Sequence, residues 1–398
     1  MKRIKILRII ARLNIGGPAI NTVILTEGLD KTKFDSLLVY GSVSKNEGDM
    51  SYYASQKHIK LIFIPELKRE LSFFCDLQAF KKIYNIIKIE QPDIIHTHTA
   101  KAGTLGRLAG ISYNLLHLLK KKQIKFIHTF HGHIFEGYFN KVQTRVFIFI
   151  ERFLAVFSSR IITVSDSVKN ELLALHICRK DKIEVIPLGL ELDKFLEIPI
   201  RDNIVSNIGI VGRLVPIKNH RLFLETIALV IASNPMTQLK FKIIGDGELK
   251  KDLEAYACRL NVNSRVAFLG WQRDLVNVYN GLDIVVLTSL NEGTPVSLIE
   301  AMASGKTVVA TDAGGVKDLL GDNAHLADNS KDNFGVLERG ILVKLPDPIT
   351  FAAALTFISQ DHALRRDIGI RARDFVKTKF ARERLIRDTQ NLYDSLFA

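Results

Sequence analysis

The chain has few cysteines and no long uninterrupted apolar run. It also lacks the short motifs that most often betray a nucleotide or metal site. The cysteines are Cys75, Cys178 and Cys258, odd in number and far apart. They offer neither a metal-ligand spacing nor a disulfide framework, which fits a reducing, cytoplasmic setting. The most apolar long stretch, residues 146–164, is interrupted by Glu151, Arg152 and Arg160 and is too charged to span a bilayer. The loop after the first strand-like run, at Gly16-Gly17, lacks the G-x-G-x-x-G spacing of a dinucleotide fingerprint, and no Gly-Lys-Ser/Thr follows it to make a phosphate loop. No Asp-x-Asp occurs, so one common carboxylate cradle for a divalent cation is missing. There is no Cys/His finger, RNA-binding aromatic signature or basic helix over heptads, so nucleic acid is not an expected partner. The chain enters a strand-like run at Lys2–Ile10, and no signal peptide is expected ahead of it.

What is present is enough for two domains. A length of 398 residues, 47% hydrophobic and 24% charged, can bury two separate cores. The net charge of +13 is uneven: residues 1–198 carry 30 Lys and Arg against 19 Asp and Glu, whereas the remainder carries 25 against 23. A basic half beside a nearly neutral one implies that the basic half meets something acidic. In residues 111–126, Leu115, Leu116, Leu118 and Leu119 run into Lys120, Lys121, Lys122 and Lys125. That basic amphipathic stretch suits an anionic membrane surface, with the protein peripheral on its inner face. A core helix with a solvated lysine end is the plainer alternative.

Strand-like and helix-like runs alternate along the whole chain, which predicts parallel α/β sheets. Strands are expected near Ile4–Ile10, Phe34–Tyr40, Leu61–Ile64, Asp93–Thr97, Phe126–Phe130, Arg160–Val164 and Ile183–Pro187 in the first half. In the second half they are expected near Ile208–Val211, Lys240–Ile244, Val266–Leu269, Ile284–Leu287 and Thr307–Ala310. The polar segment Leu190–Asn203 marks the boundary, giving domains of residues 1–198 and 199–375. An amphipathic helical stretch, Leu364–Phe397, follows.

The most informative stretch runs from Asn291 to Glu300. Glu292 and Glu300 lie eight positions apart around the turn Gly293-Thr294-Pro295-Val296. Thr294 is expected to cap a short buried helix from Pro295 to Ser304, ended at Gly305. A helix start is an anion site, and carboxylates on either side would accept from hydroxyl groups. A phosphate flanked by two polyols describes a nucleotide sugar. Alone, the pair could equally be a surface Glu and a helix Glu with no shared ligand. Arg213 and Lys218 follow the first strand of the second half at Gly212, with Pro216 fixing the loop between them. A guanidinium and an ammonium so placed suit a diphosphate, although two solvated cations would read the same way. Turns at Gly245-Asp246-Gly247 and Gly270-Trp271 are candidate walls for a nucleoside. Gly16 and Gly17 follow the first strand, where backbone can approach a ligand closely. His96, His98, His128, His131 and His133 sit at strand ends. No carboxylate or cysteine at ligand spacing supports a metal there. His131, just before Gly132, is the one expected to line a site, with the others satisfying buried backbone groups.

The runs Gly16-Gly17, His96-Thr-His-Thr-Ala-Lys-Ala-Gly103, Phe130-His-Gly-His133, Val211-Gly-Arg-Leu214 with Lys218-Asn219, Ile244-Gly-Asp-Gly247 and Asn291 to Gly305 occur in this order. Together they resemble the retaining family-4 glycosyltransferases of the GT-B fold over nearly the whole chain. The resemblance implies two Rossmann-like domains facing across a cleft, with the C-terminal helix, residues 376–398, returning to the first domain. It implies a metal-free, retaining transfer of a hexose or N-acetylhexosamine. The donor would be a nucleotide sugar, UDP-linked in many relatives, and the acceptor a glycan or lipid-linked saccharide. Arg213 and Lys218 match the diphosphate-binding positions and Glu300 the carboxylate on the ribose. Glu292 with Gly293 to Val296 matches the group on the donor sugar, His131 the histidine near the reacting centre, and Gly17 the glycine beside the phosphate. Many relatives have Ala-Glu after Gly-Gly; here Pro18-Ala19 follows, which removes a polar group from that position. A sugar-nucleotide 2-epimerase on the same scaffold and a non-catalytic nucleotide-sugar sensor are the rival expectations.

Overall fold

A computed structural model describes residues 3–44, 48–119, 122–132, 141–201, 204–322 and 333–397. The chain forms two compact units, 1–190 with 382–398, and 191–381.

In the first unit, β1 (Ile4–Ile10), β2 (Phe34–Gly41), β3 (Lys60–Ile64), β4 (Ile94–His98), β5 (Lys125–Phe130), β6 (Arg160–Thr163) and β7 (Ile183–Val185) build one sheet in the order β3-β2-β1-β4-β5-β6-β7. Every pairing is parallel, for example Ile6 of β1 against Ser36 of β2 and Ile94 of β4. Such strands are covered on both faces, so they read as apolar runs. Period-two alternation divides them. Leu7, Ile9 and Ile95 pack with Ile83, Ala109 and Leu154 from the helices Phe73–Glu90, Ala100–Leu116 and Lys141–Phe157. Ile6, Ile94, Ile127 and Ile162 turn the other way, onto Ile24 and Leu25 of the helix Gly17–Gly28 and onto the C-terminal helix Arg382–Ser395. That last helix contributes Leu385, Leu392 and Tyr393, and Arg382 pairs with Glu27.

In the second unit, β8 (Asn207–Val211), β9 (Lys240–Ile244), β10 (Val266–Gly270), β11 (Ile284–Leu287), β12 (Thr307–Thr311), β13 (Phe334–Leu337) and β14 (Gly340–Val343) form a sheet ordered β10-β9-β8-β11-β12-β14-β13. Only β13 runs antiparallel, against β14. This hairpin lies beyond the last strand expected from the sequence, Thr307–Ala310.

The limits of the units differ in detail from those expected. Residues 191–198 belong to the second unit because the short helix Asp193–Leu196 packs there, with Phe195 edge-on to Tyr279 at 5.8 Å. Residues 376–379 close the helix His362–Lys379, whose buried Ile368 joins the second core. The return to the first unit therefore begins at Arg382 instead of near residue 376.

Candidate active site

In both sheets the strand order reverses beside the first strand, between β1 and β4 and between β8 and β11. Ligands of open α/β sheets collect at the carboxyl ends of strands flanking such a point. In the second unit, Gly212, Arg213 and Lys218 leave β8, and Glu292 to Glu300 leave β11. The candidate diphosphate, sugar and ribose groups are thus brought to one edge of one sheet.

The loop after β8 is held by its neighbours. Gly212 N–H donates to Ile244 O at 2.9 Å and Leu214 N–H to Asp246 O at 2.9 Å. Gly245 has φ +138°, and a Cβ there would lie 1.9 Å from Gly212 O, so only glycine lets the β8 and β9 loops meet. Gly245 N–H in turn donates to Gly270 O at 2.9 Å, which seats the loop carrying the half-exposed Trp271 beside the other two. Pro216–Lys218 forms a 3-10 turn, and the Thr288 hydroxyl donates to Lys218 O at 2.9 Å. Lys218 Nζ pairs with Glu292 Oε1, which also accepts from Ser289 Oγ at 2.6 Å. Ammonium and carboxylate are thereby fixed at the mouth of the sheet. Lys218 is thus paired with Glu292, whereas Arg213 forms no ion pair among the described residues.

The turn after β11 departs from the expected capping. The helix runs Val296–Ala303, with Pro295 as the residue preceding it at ψ 109°. Pro295 O accepts from Leu298 N–H at 3.1 Å, and no side chain caps the start. Thr294 Oγ1 is buried without a hydrogen-bond partner. Glu300, one turn inside, is buried and accepts from the Tyr279 hydroxyl at 2.9 Å. Burial pushes its carboxyl up to about 7, and the Tyr279 hydrogen bond only partly opposes this. The Tyr279 phenol is itself raised well above its ordinary value by burial and by Glu300.

Sequence reasoning missed Ser289 and Tyr279. Ser289 had a weak signal, a hydroxyl just past the end of a strand. Tyr279, 21 residues before Glu300, had none. His220 was also passed over: it is buried behind Lys218 with neither ring nitrogen partnered, and burial lowers it to about 3, so it stays neutral.

In the first unit, Gly16 and Gly17 open the helix Gly17–Gly28 with Pro18 in its first turn. His131 follows β5, and its Nε2 lies 2.9 Å from His98 Nδ1. Burial lowers it to about 4. The remaining histidines do not satisfy backbone groups as expected. They pair with side chains from β4, β5 and the C-terminal helix. His96 meets Tyr393 OH at 2.6 Å and Thr129 Oγ1 at 2.8 Å, and His128 Nδ1 meets Thr97 Oγ1 at 2.8 Å. His133 lies outside the described residues. Among those described, no group of three or more His, Cys, Asp or Glu is arranged to hold a metal ion.

Two Rossmann-like sheets with cations and carboxylates gathered at the strand ends of the second are the build of a glycosyltransferase. Comparison with known proteins agrees. The family described as "Glycosyltransferase Family 4" matches residues 15–194, and "Glycosyl transferases group 1" matches residues 205–361. An Escherichia coli UDP-Gal:alpha-D-GlcNAc-diphosphoundecaprenol alpha-1,3-galactosyltransferase is 31% identical over 355 residues, 85% of this chain and 83% of the relative. The Staphylococcus aureus capsular polysaccharide biosynthesis glycosyltransferase CapM is 24% identical, covering 83% of each. Among solved structures, Anabaena Alr3699/HepE in complex with UDP aligns with a TM-score of 0.77 at 19% identity, covering 98% of this chain and 100% of that one. Sucrose-phosphate synthase from Thermosynechococcus elongatus aligns at 0.76 and 20%, covering 99% of each. The chain belongs to the family-4 glycosyltransferases and has their GT-B fold.

Proposed function

We propose that this glycosyltransferase moves a hexose or N-acetylhexosamine from a UDP-sugar to a hydroxyl of a lipid-linked saccharide, with retention at the anomeric carbon and without a metal ion. The observation that carries the reading is the joint placement of Lys218, Glu292 and Ser289 beside Arg213 and the uncapped helix at Val296. Lys218, Arg213 and the helix start supply the positive field in which a diphosphate departs. Glu292, held by Lys218 and Ser289, positions the donor sugar. Glu300 receives the ribose hydroxyls on Oε1, its Oε2 being engaged by Tyr279. Charge develops at the anomeric carbon as the sugar–phosphate bond breaks. The acceptor hydroxyl attacks from the same face, and its proton passes to the departing phosphate oxygen. His131 stays neutral at physiological pH and can serve only as a hydrogen-bonding group. The UDP-linked donor and polyprenyl-linked acceptor in the name of the E. coli relative, and the UDP bound by the Anabaena protein, support the substrate classes. The excess of 30 basic over 19 acidic residues in positions 1–198 supports a peripheral site on the cytoplasmic face of a membrane.

The test is transfer from a panel of UDP-sugars to a polyprenyl-diphosphate saccharide, with analysis of the product's anomeric configuration. A new glycoside of retained configuration is expected. A free epimerised sugar nucleotide would establish the epimerase instead, and ligand binding without turnover would establish a sensor.

A further inference from the structure

Two lysines of the run expected to touch the membrane, Lys122 and Lys125, are engaged inside the first unit. Lys122 pairs with Asp93 at 2.6 Å, and Lys125 bonds Leu396 O and lies over the Phe397 ring at 4.6 Å. Lys120 and Lys121 lie outside the described residues. The apolar residues beside them, Leu115, Leu116, Leu118 and Leu119, are exposed.

A larger unpartnered apolar face lies on the helix Lys141–Phe157. Val142, Val146, Phe149, Phe153, Val156 and Phe157 are all exposed, Phe149 by 73% and Val142 by 70%. Their spacing places them along one side of the helix. The opposite side is committed to the core through Ile150, Leu154 and Ala155. Rotation that would hide the stripe is blocked by a buried ion pair: Arg107 NH2 donates to both Glu151 oxygens, at 2.6 and 2.8 Å, and Arg107 Nε to Gly103 O at 2.8 Å. Glu151 is the helix's only acidic residue, so the exposed side carries none, while Arg145 and Arg152 both line one edge of the stripe. Arg152, anchored to Leu175 O at 2.7 Å, is held at the helix edge.

We infer that the exposed face of the helix Lys141–Phe157 is the surface by which the first unit lies on an anionic lipid bilayer, its Phe and Val side chains entering the acyl boundary and Arg145 and Arg152 meeting the headgroups. Among the described residues no helix is long and apolar enough to cross a membrane, and an apolar stripe edged by cations is the pattern of a helix lying in the interface. A second copy of the chain is the poorer occupant. A two-fold contact through this face would gather its arginines without any carboxylate on the same face to answer them. The inference rests on the lipid-linked acceptor proposed above, and names the face that brings the enzyme to it.

The experiment is co-sedimentation of the full chain with phosphatidylglycerol/phosphatidylcholine vesicles and with phosphatidylcholine vesicles alone. The wild-type protein should prefer the anionic vesicles, with partitioning that weakens as salt rises. Phe149→Ser with Phe153→Ser should lower partitioning by about tenfold or more on anionic vesicles even at high salt. Arg145→Gln should lower it about fivefold on anionic vesicles and leave neutral ones unaffected. All these positions are exposed, so an unchanged thermal midpoint confirms that the variants fold. UDP binding and transfer to a water-soluble short-chain acceptor should be unaffected by the Phe substitutions. Failure of those two assays in the wild-type protein would count against the function, and not against the docking face. Unaltered vesicle binding by the Phe variant would overturn the inference. So would a wild-type oligomer, seen by light scattering, that the Phe variant converts to monomer without loss of vesicle binding.

Discussion

Glu300→Gln separates what this residue does for binding from what it does for stability, and the two effects should have opposite signs. The carboxyl is buried and raised from 4.5 to about 7. A group whose folded value is raised helps stability fully below its unfolded value and loses that contribution as pH rises through the folded value. The contribution of Glu300 is therefore intact below about pH 4.5 and gone above about pH 7. A shift of this size corresponds to about 3 kcal/mol. Glutamine has nearly the same shape and no charge, and its amide oxygen can still accept from the Tyr279 hydroxyl. Denaturant unfolding should therefore show the variant gaining on the wild-type protein by up to about 3 kcal/mol between pH 5 and pH 8. Donor binding should change the other way. An ionised carboxylate accepting from ribose hydroxyls contributes about 1.5–3 kcal/mol per bond, so the donor KM of the variant should rise tenfold or more at pH 8. The difference should shrink at pH 6, where wild-type Glu300 is largely protonated. A stability difference that does not change with pH, together with an unaltered donor KM, would refute both the buried-carboxyl argument and the ribose role.

Lys218→Ala should lower kcat by roughly 10²-fold or more, because the proposed mechanism relies on its charge to stabilise the departing diphosphate. Steady-state turnover at saturating donor checks this, and a near-native rate would remove Lys218 from the mechanism. EDTA should leave activity largely intact, since the proposed mechanism gives Arg213, Lys218 and the helix at Val296 the role of a cation; a loss restored by Mn²⁺ would contradict that. Tyr393→Phe should cost about 2–4 kcal/mol of stability, because it deprives buried Arg8 of a partner at 3.0 Å and His96 of one at 2.6 Å. Thermal unfolding that is unchanged would show that the Tyr393 hydroxyl does not help to hold the C-terminal helix.

The strands could be read from the sequence because both sheets are covered on two sides, so that Ile4–Ile10 and Ile284–Leu287 are nearly continuous apolar runs. The exposure of the apolar side of the helix Lys141–Phe157 could not be read, because residues such as Phe149 and Phe153 look the same in sequence as the buried Leu154 beside them. Lys218 and Glu292 could be named as site residues because each follows a strand closely. Their pairing could not, since 74 positions separate them and only the β8–β11 adjacency joins them. Tyr279 was invisible for the same reason: its role depends on where its ring is buried. The expected Thr294 cap failed because the extended backbone at Pro295 starts the helix one residue later and leaves the Thr294 hydroxyl without a partner.

The central claim is that Arg213, Lys218 and the turn before Val296 grip a pyrophosphate. Calorimetric titration of UDP and of uridine into the wild-type chain and into Arg213→Ala/Lys218→Ala measures this directly. The account predicts that UDP binds the wild-type protein about 100-fold or more tighter than uridine. It predicts that this preference collapses in the double variant while uridine affinity stays the same. A double variant that keeps the full preference for UDP would contradict the account.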